Sequence, residues 1–167
     1  MTVPHATPRS PQRDDEPQWK VPPPLALICD HRGEGWSERA AALGSLGFVV
    51  TVASTLRQSI ERLASDRPCI IVLDPLASAG TTELELLDRA RQSDTRTALL
   101  VVADDDEPIL RALAASRPSE RGPWDVIRRG APLDELLLRA DLLQHQVEAQ
   151  REMDRLRHLA THDDRTD

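Results

Sequence analysis

From Leu25 onward the sequence alternates short apolar runs with amphipathic stretches five times over, a rhythm that few folds accommodate. Leu25-Ala-Leu-Ile-Cys29 is continuous and apolar, the pattern of a strand covered on both faces. The stretch Glu34 to Leu46 places Trp36, Ala40, Leu43 and Leu46 at helical spacing and meets a stop at Gly47. Phe48-Val-Val-Thr-Val52 is β-branched and predicts a second strand. Thr55 is a candidate cap for a helix carrying Leu56, Ile60 and Leu63. Cys69-Ile-Ile-Val-Leu73, closed by Asp74-Pro75, predicts a third strand, and Ala98-Leu-Leu-Val-Val102 a fourth. Helices are expected from Thr82 and over Glu107 to Ser116, then a polar loop over Arg117 to Gly122 and a weak fifth strand, Trp124-Asp-Val-Ile127. From Leu133 the chain has no Pro or Gly and is expected to stay helical to its last residue. Successive βα units imply an α/β domain of (βα)5 type, a doubly wound five-stranded parallel sheet with helices on both faces and a long C-terminal helix.

Aromatic residues are only 2% of the chain, so its core must be built from Leu, Ala, Val and Ile. The net charge of −7 disfavours a nucleic-acid or anionic-membrane partner. No apolar run approaches the ~20 residues of a membrane span, and Met1 to Lys20 lacks the apolar stretch of a secretory signal. A soluble cytoplasmic chain is expected. Seven of the 13 prolines fall within residues 1–24, so residues 1–23 are expected to form a disordered tail, with Trp19 its only anchor candidate. The folded domain is expected over 24–140 and a linker helix over 141–167. Cys29 and Cys69 lie inside apolar runs and are expected to be buried thiols, not a disulfide or metal site.

In an open parallel sheet, ligands bind at the carboxyl ends of the strands, beside the topological switch point. Acidic residues gather there: Asp30 after the first strand, Asp74 after the third, Asp104 to Asp106 after the fourth. Asp30, His31 and Asp74 offer one imidazole and two carboxylates, a set that could suit a transition metal. A solvated loop histidine is the plainer reading, and no metal or cofactor is expected. Lys20 is the only lysine in the chain.

Over residues 24–140 these features resemble the receiver domain of two-component response regulators, a flavodoxin-like fold. The resemblance rests on the strand ends at Asp30 and Asp74, their spacing, and the segment Gly122-Pro-Trp-Asp-Val-Ile-Arg-Arg-Gly-Ala-Pro-Leu-Asp-Glu-Leu-Leu. It implies that Asp74 stands at the phosphoacceptor position and Asp30 at one of two Mg²⁺-binding carboxylates. The second acidic position is His31, the hydroxyl position is Val102, the lysine position is Arg129, and a proline position is Gly130. Phosphoryl transfer depends on positioning and on neutralising charge, so these departures imply a pseudo-receiver without functional phosphorylation. The alternative is a phosphorylatable receiver using Asp74, with Mg²⁺ at Asp30 and Asp74. Arg129 has a planar fork able to grip a carboxylate and is expected to pair with Asp74, holding the pocket in one state without metal. A cis peptide before Gly130 would cost about 3 kcal/mol without proline, so a rearranged loop is expected there.

Along the terminal helix Leu136, Leu137 and Ala140 should pack on the domain. Beyond them Leu142, Gln146, Ala149, Met153, Leu156 and Ala160 keep a spacing of four and three, the seam of a two-stranded coiled coil. A homodimer is expected, with Gln146 fixing its register. The last dozen residues resemble the opening of diguanylate cyclase (GGDEF) domains, Leu-Ala-x-His-Asp-x-Leu-Thr-Gly-Leu, matching at Leu159, Ala160, His162, Asp163 and Thr166 and departing at Arg165 and Asp167. A rival is the phosphoacceptor helix of histidine kinases, matched at His162, Asp163, Arg165 and Thr166 but not at Asp164 or Asp167. Either resemblance implies a regulatory piece without its catalytic domain, whose output would be cyclic di-GMP synthesis on the first. A sensor kinase, or a protein docking on the fourth helix, fifth strand and terminal helix, is the other partner considered.

Overall fold

Leu25–Asp30 forms strand β1, buried at five of its six positions because neighbouring strands and helices cover it on both sides. The computed structural model describes Thr2 and residues 22–76, 97–104 and 122–163. Within them, β1 is joined by β2 (Val49–Ala53), β3 (Ile70–Asp74), β4 (Ala98–Ala103) and β5 (Trp124–Arg128) in one sheet of order β2-β1-β3-β4-β5. Every pairing is parallel. This is the five-stranded order of flavodoxin-like sheets, with its switch point between β1 and β3. The helices expected from Thr82 and over Glu107 to Ser116 lie outside the described residues, as do residues 3–21 of the expected tail.

Alternate side chains of the central strands feed two cores. Ile28, Val72, Leu100 and Val102 face helix α1 (Ser37–Ser45) and the terminal helix α3 (Leu133–Asp163). Leu27, Cys29, Ile71, Leu73 and Val101 pack with Leu56, Ile60 and Leu63 of helix α2 (Leu56–Asp66). Thr55 caps α2 by accepting a hydrogen bond from the Gln58 amide at 3.1 Å. At the edge of the sheet, β2 leaves Val49 and Val52 exposed, one on each face, because no described strand lies beyond it.

The expected first helix starts too early. Gly33 and Gly35 take φ of +75° and +81°, left-handed values that no helix allows, and α1 begins only at Ser37. Trp36 is therefore the residue before the helix and is freed from its helical face.

Helix α3 buries Leu136, Ala140, Leu143 and Val147 against the sheet, with Leu137 packed at their margin. Arg139 fastens it further, bonding Asp125 of β5 at 2.7 Å and Glu135 at 3.1 Å. Beyond Val147 no described residue of the helix is buried, and Ala149, Met153, Leu156 and Ala160 are exposed. Leu142 and Gln146 are exposed too, so the heptad positions form a stripe separate from the packed one. Two adjacent leucines separate these roles. Leu143→Ala (2% exposed) should lower unfolding stability by about 2–4 kcal/mol. Leu142→Ala (54% exposed) should cost under about 0.5 kcal/mol at protein concentrations where the chain is monomeric. Urea unfolding of both variants checks the contrast.

Candidate functional site at the carboxyl ends of the strands

Asp30 and Asp74 are register partners at the ends of β1 and β3, so the sheet itself sets two carboxylates side by side at the switch point. Their surroundings differ. Asp74 is fully buried, and both of its oxygens are engaged. Oδ1 accepts from Arg129 Nη1 at 2.5 Å and Oδ2 accepts from Trp36 Nε1 at 3.0 Å. The indole is itself overlaid by the Arg39 guanidinium, 4.5 Å from the ring centroid.

Asp30 is occupied differently. Its Oδ1 accepts from the Gly33 amide at 2.9 Å and Oδ2 from the Gly35 amide at 3.1 Å. The carboxylate thus folds the loop that delivers Trp36 to Asp74. The two left-handed glycines let consecutive turns of backbone aim at one side chain, which a residue with Cβ could do only under strain.

His31 is not a solvated loop residue, as its position after a strand suggested. It is only 7% exposed and its Nε2 lies 2.7 Å from Ser59 Oγ on α2. Ser59 Oγ donates to the Thr55 carbonyl at 2.9 Å, so the imidazole Nε2–H is the donor to Ser59. Burial holds the His31 pKa below its ordinary value, against the Thr55 backbone and the negative charges of Asp30 and Asp74, which act upward. Ser59 was the missing partner in the sequence reading. Its signal was a hydroxyl set on the apolar stripe of Leu56, Ile60 and Leu63.

Val102 follows the last registered pair of β3 and β4, Leu73 with Val101, and so stands beside Asp74 with an aliphatic side chain. It is buried in the core and offers no donor. Arg129 follows β5 and is held by its amide on the Ala103 carbonyl at 3.2 Å. Besides Asp74 it faces Asp104, 3.4 Å from its Nε, and Glu34, 3.7 Å from its Nη1. Gly130 turns the chain with φ +79°, and no cis peptide occurs among the described residues.

The donor set does not suit Mg²⁺. A hard cation wants several unshared carboxylate oxygens, whereas those of Asp30 are bonded to amides and those of Asp74 to an indole and a guanidinium. Among the described residues no group of three His, Cys, Asp or Glu side chains is gathered for a metal. Nor are the thiols poised for chemistry. Burial pushes Cys29 up to about 12 and Cys69 up to about 11, and both are free.

The seam residues Leu142 to Ala160 lie on α3, apart from this cluster. Trp36, like Ser59, is a site residue that sequence reasoning missed. Two glycines just ahead of it argued against a helix there, and a buried acid needs more than one donor.

No family model matches the chain, and no curated protein matches it in sequence. Solved structures do match. A CheY-like response regulator receiver domain protein from Methanospirillum hungatei superposes with a TM-score of 0.60 at 15% identity, over 77% of this chain and 98% of that one. The fold is that of receiver domains. The N-terminal domain of a response regulator/sensory box/GGDEF three-domain protein from Carboxydothermus hydrogenoformans gives 0.58 at 18%, over 75% and 98%. NtrX from Brucella abortus, in complex with ATP, gives 0.63 at 18%, over 81% of this chain but 29% of that one.

Two measurements test this receiver-fold site. Arg129→Ala leaves a buried carboxylate short of its charged partner and should cost about 3 kcal/mol of unfolding stability. Replacing Asp74 by Asn in the same protein should recover much of that loss. Additive losses would show that the pair is not coupled. For His31 the folded pKa lies below the unfolded one, so the unfolded chain takes up the proton first. Stability contributed by the neutral ring is complete above about pH 6.5 and falls as pH drops below it. In a His31→Gln variant, that part of the pH dependence of urea unfolding should disappear.

Proposed function

We propose that this chain is a degenerate receiver, a regulatory and non-catalytic signalling module that works without phosphorylation of Asp74. The observation that carries the reading is the double engagement of Asp74, whose oxygens are both bonded and whose side chain is fully buried. An acceptor carboxylate must present a lone pair to an incoming phosphoryl group with charge neutralised around it. Here Arg129 and Trp36 hold both oxygens, Val102 supplies no hydroxyl, and the positions for a metal are committed to the loop or to α2.

Output then passes through protein geometry. The apolar stripe of Leu142, Met153 and Leu156 gives α3 a surface suited to a second copy of the same helix. A homodimer joined there would set the spacing of whatever follows α3. The resemblance of residues 156–167 to the start of a diguanylate cyclase domain favours a cyclase as the controlled partner, since two such domains must meet to join two GTP molecules. The Carboxydothermus neighbour, whose parent protein combines a response regulator with a GGDEF domain, lends support to that pairing. No helix among the described residues is long and apolar enough to cross a membrane, which is compatible with a cytoplasmic module.

Sedimentation velocity of the full chain tests both halves of the proposal. A dimer indifferent to Mg²⁺ and beryllofluoride, the mimic of a phosphoryl group on an aspartate, is the expected result. Leu156→Glu should return it to monomer. A monomer that dimerises only with both additions would overturn the reading and make Asp74 a working acceptor.

A further inference from the structure

Helix α3 passes the amino-terminal ends of β1 and β3, and an open groove of about 860 Å³ runs between them. A site for one benzene ring takes roughly 150 Å³, so this groove has room for a short stretch of chain. Pro22 and Pro24 stand on one side, and Gln144, Arg151, Arg155 and Leu159 of α3 on the other. Arg151, Arg155 and Leu159 follow at i, i+4 spacing, so their side chains form one continuous row. Leu159 is 55% exposed and lies outside the heptad positions from Leu142 to Ala160, so the dimer seam does not account for it.

The start of the chain is tethered at this groove. The Pro24 carbonyl accepts from the Val49 amide at 2.8 Å, and Pro22 is itself part of the wall. A run of three prolines has fixed φ and no amide hydrogens, so it travels as a stiff extended segment. Trp19 stands three residues before Pro22, within about 11 Å of it along the chain. Over so short a tether the effective concentration is on the order of millimolar, and even a weak contact is well populated. Burying an indole removes roughly 150–250 Å² of surface from water. Guanidinium groups suit an indole face, as Arg39 shows by lying 4.5 Å from the ring centroid of Trp36. Next to Trp19 comes Lys20, the only lysine of the chain, and Glu148 and Glu152 stand on the α3 wall.

We propose that this groove is the docking site of the chain's own residues 16–21. The Trp19 indole lies against Leu159 and the stems of Arg151 and Arg155, with the Lys20 ammonium toward Glu148 and Glu152. Docking joins the start of the chain to the far half of α3 and braces that helix against the sheet. On the dimer reading above, the brace sets the direction in which α3 carries its seam. Only that consequence rests on the functional reading. The contact itself does not.

Proton NOEs and indole N–H shifts of the full chain, labelled with ¹⁵N and ¹³C, test the contact. The Trp19 ring should show NOEs to the Leu159 methyls, and its indole N–H should lie away from the random-coil position. Leu159→Glu should return that N–H to the random-coil position while the amides of β1 to β5 stay where they are. A Trp19 N–H already at the random-coil position in the unaltered chain would overturn the proposal. So would a folded Leu159→Glu variant in which Trp19 does not move. In a mixture of ¹⁵N-labelled and ¹³C-labelled chains, an NOE from the Trp19 indole to Leu159 methyls would make a second copy the occupant and overturn it too. None of these measurements contains Mg²⁺ or beryllofluoride. A phosphorylatable Asp74 would therefore overturn the functional reading and leave the docked segment standing.

Discussion

A carboxylate with no exposure to solvent is the constraint around which this domain is arranged. Removing an ionised acid from water costs several kcal/mol unless donors replace the lost hydration. Asp74 meets that requirement with two donors from opposite ends of the sequence, Trp36 after β1 and Arg129 after β5. Each donor arrives by a backbone device. The loop before Trp36 is folded by two amides on Asp30 and by left-handed glycines, and the turn after Arg129 by a left-handed Gly130. The end of the sheet, two loops and the start of α1 are thus fixed by one buried charge.

The architecture was legible because burial on both faces leaves an unmistakable mark. β1, β3 and β4 are uninterrupted apolar runs, and no helix packs residues like Cys69-Ile-Ile-Val-Leu73 on a single face. The edge strands were weaker signals for the same reason, since only one residue of each is fully buried. Asp30 and Asp74 were visible as acids ending strands, and their register partnership follows from the parallel sheet. Of the partners of those acids, Arg129 was anticipated for Asp74, whereas Trp36 and the amides of Gly33 and Gly35 were not legible. Trp36 fits helical spacing with Ala40 and Leu43, and only the strain of extending a helix back through Gly33 and Gly35 displaces it. His31 looks like any polar residue after a strand until Ser59 comes within 2.7 Å across the fold. Hydrogen bonds between residues far apart in sequence carry no local periodicity, so pattern reading passes over them.

Helix α3 carries two apolar stripes, and packing separates them. Leu136, Ala140, Leu143 and Val147 are consumed by the domain, whereas Leu142, Met153 and Leu156 are left in water. A single helix facing solvent gains nothing from repeated exposed leucines and loses solubility by them. On the proposed reading, the second stripe gains its energy only when another copy covers it, and the register of that contact is transmitted along a rigid rod.

A receiver with its acceptor sealed still needs a second state if it is to signal, because a ligand shifts an equilibrium only by binding its two states differently. Around Asp74 the elements of such an alternative are close at hand. Arg129 already lies within 3.4 Å of Asp104 and 3.7 Å of Glu34, both partly exposed, so releasing Asp74 would not leave the guanidinium without carboxylates. Asp74 has no comparable reserve. Its charge is buried, and the loss of either donor raises the energy of the whole site. The state seen here is therefore held chiefly by the needs of the aspartate. Whatever moves Trp36 acts directly on that balance, since the indole is the one donor that carries no charge of its own.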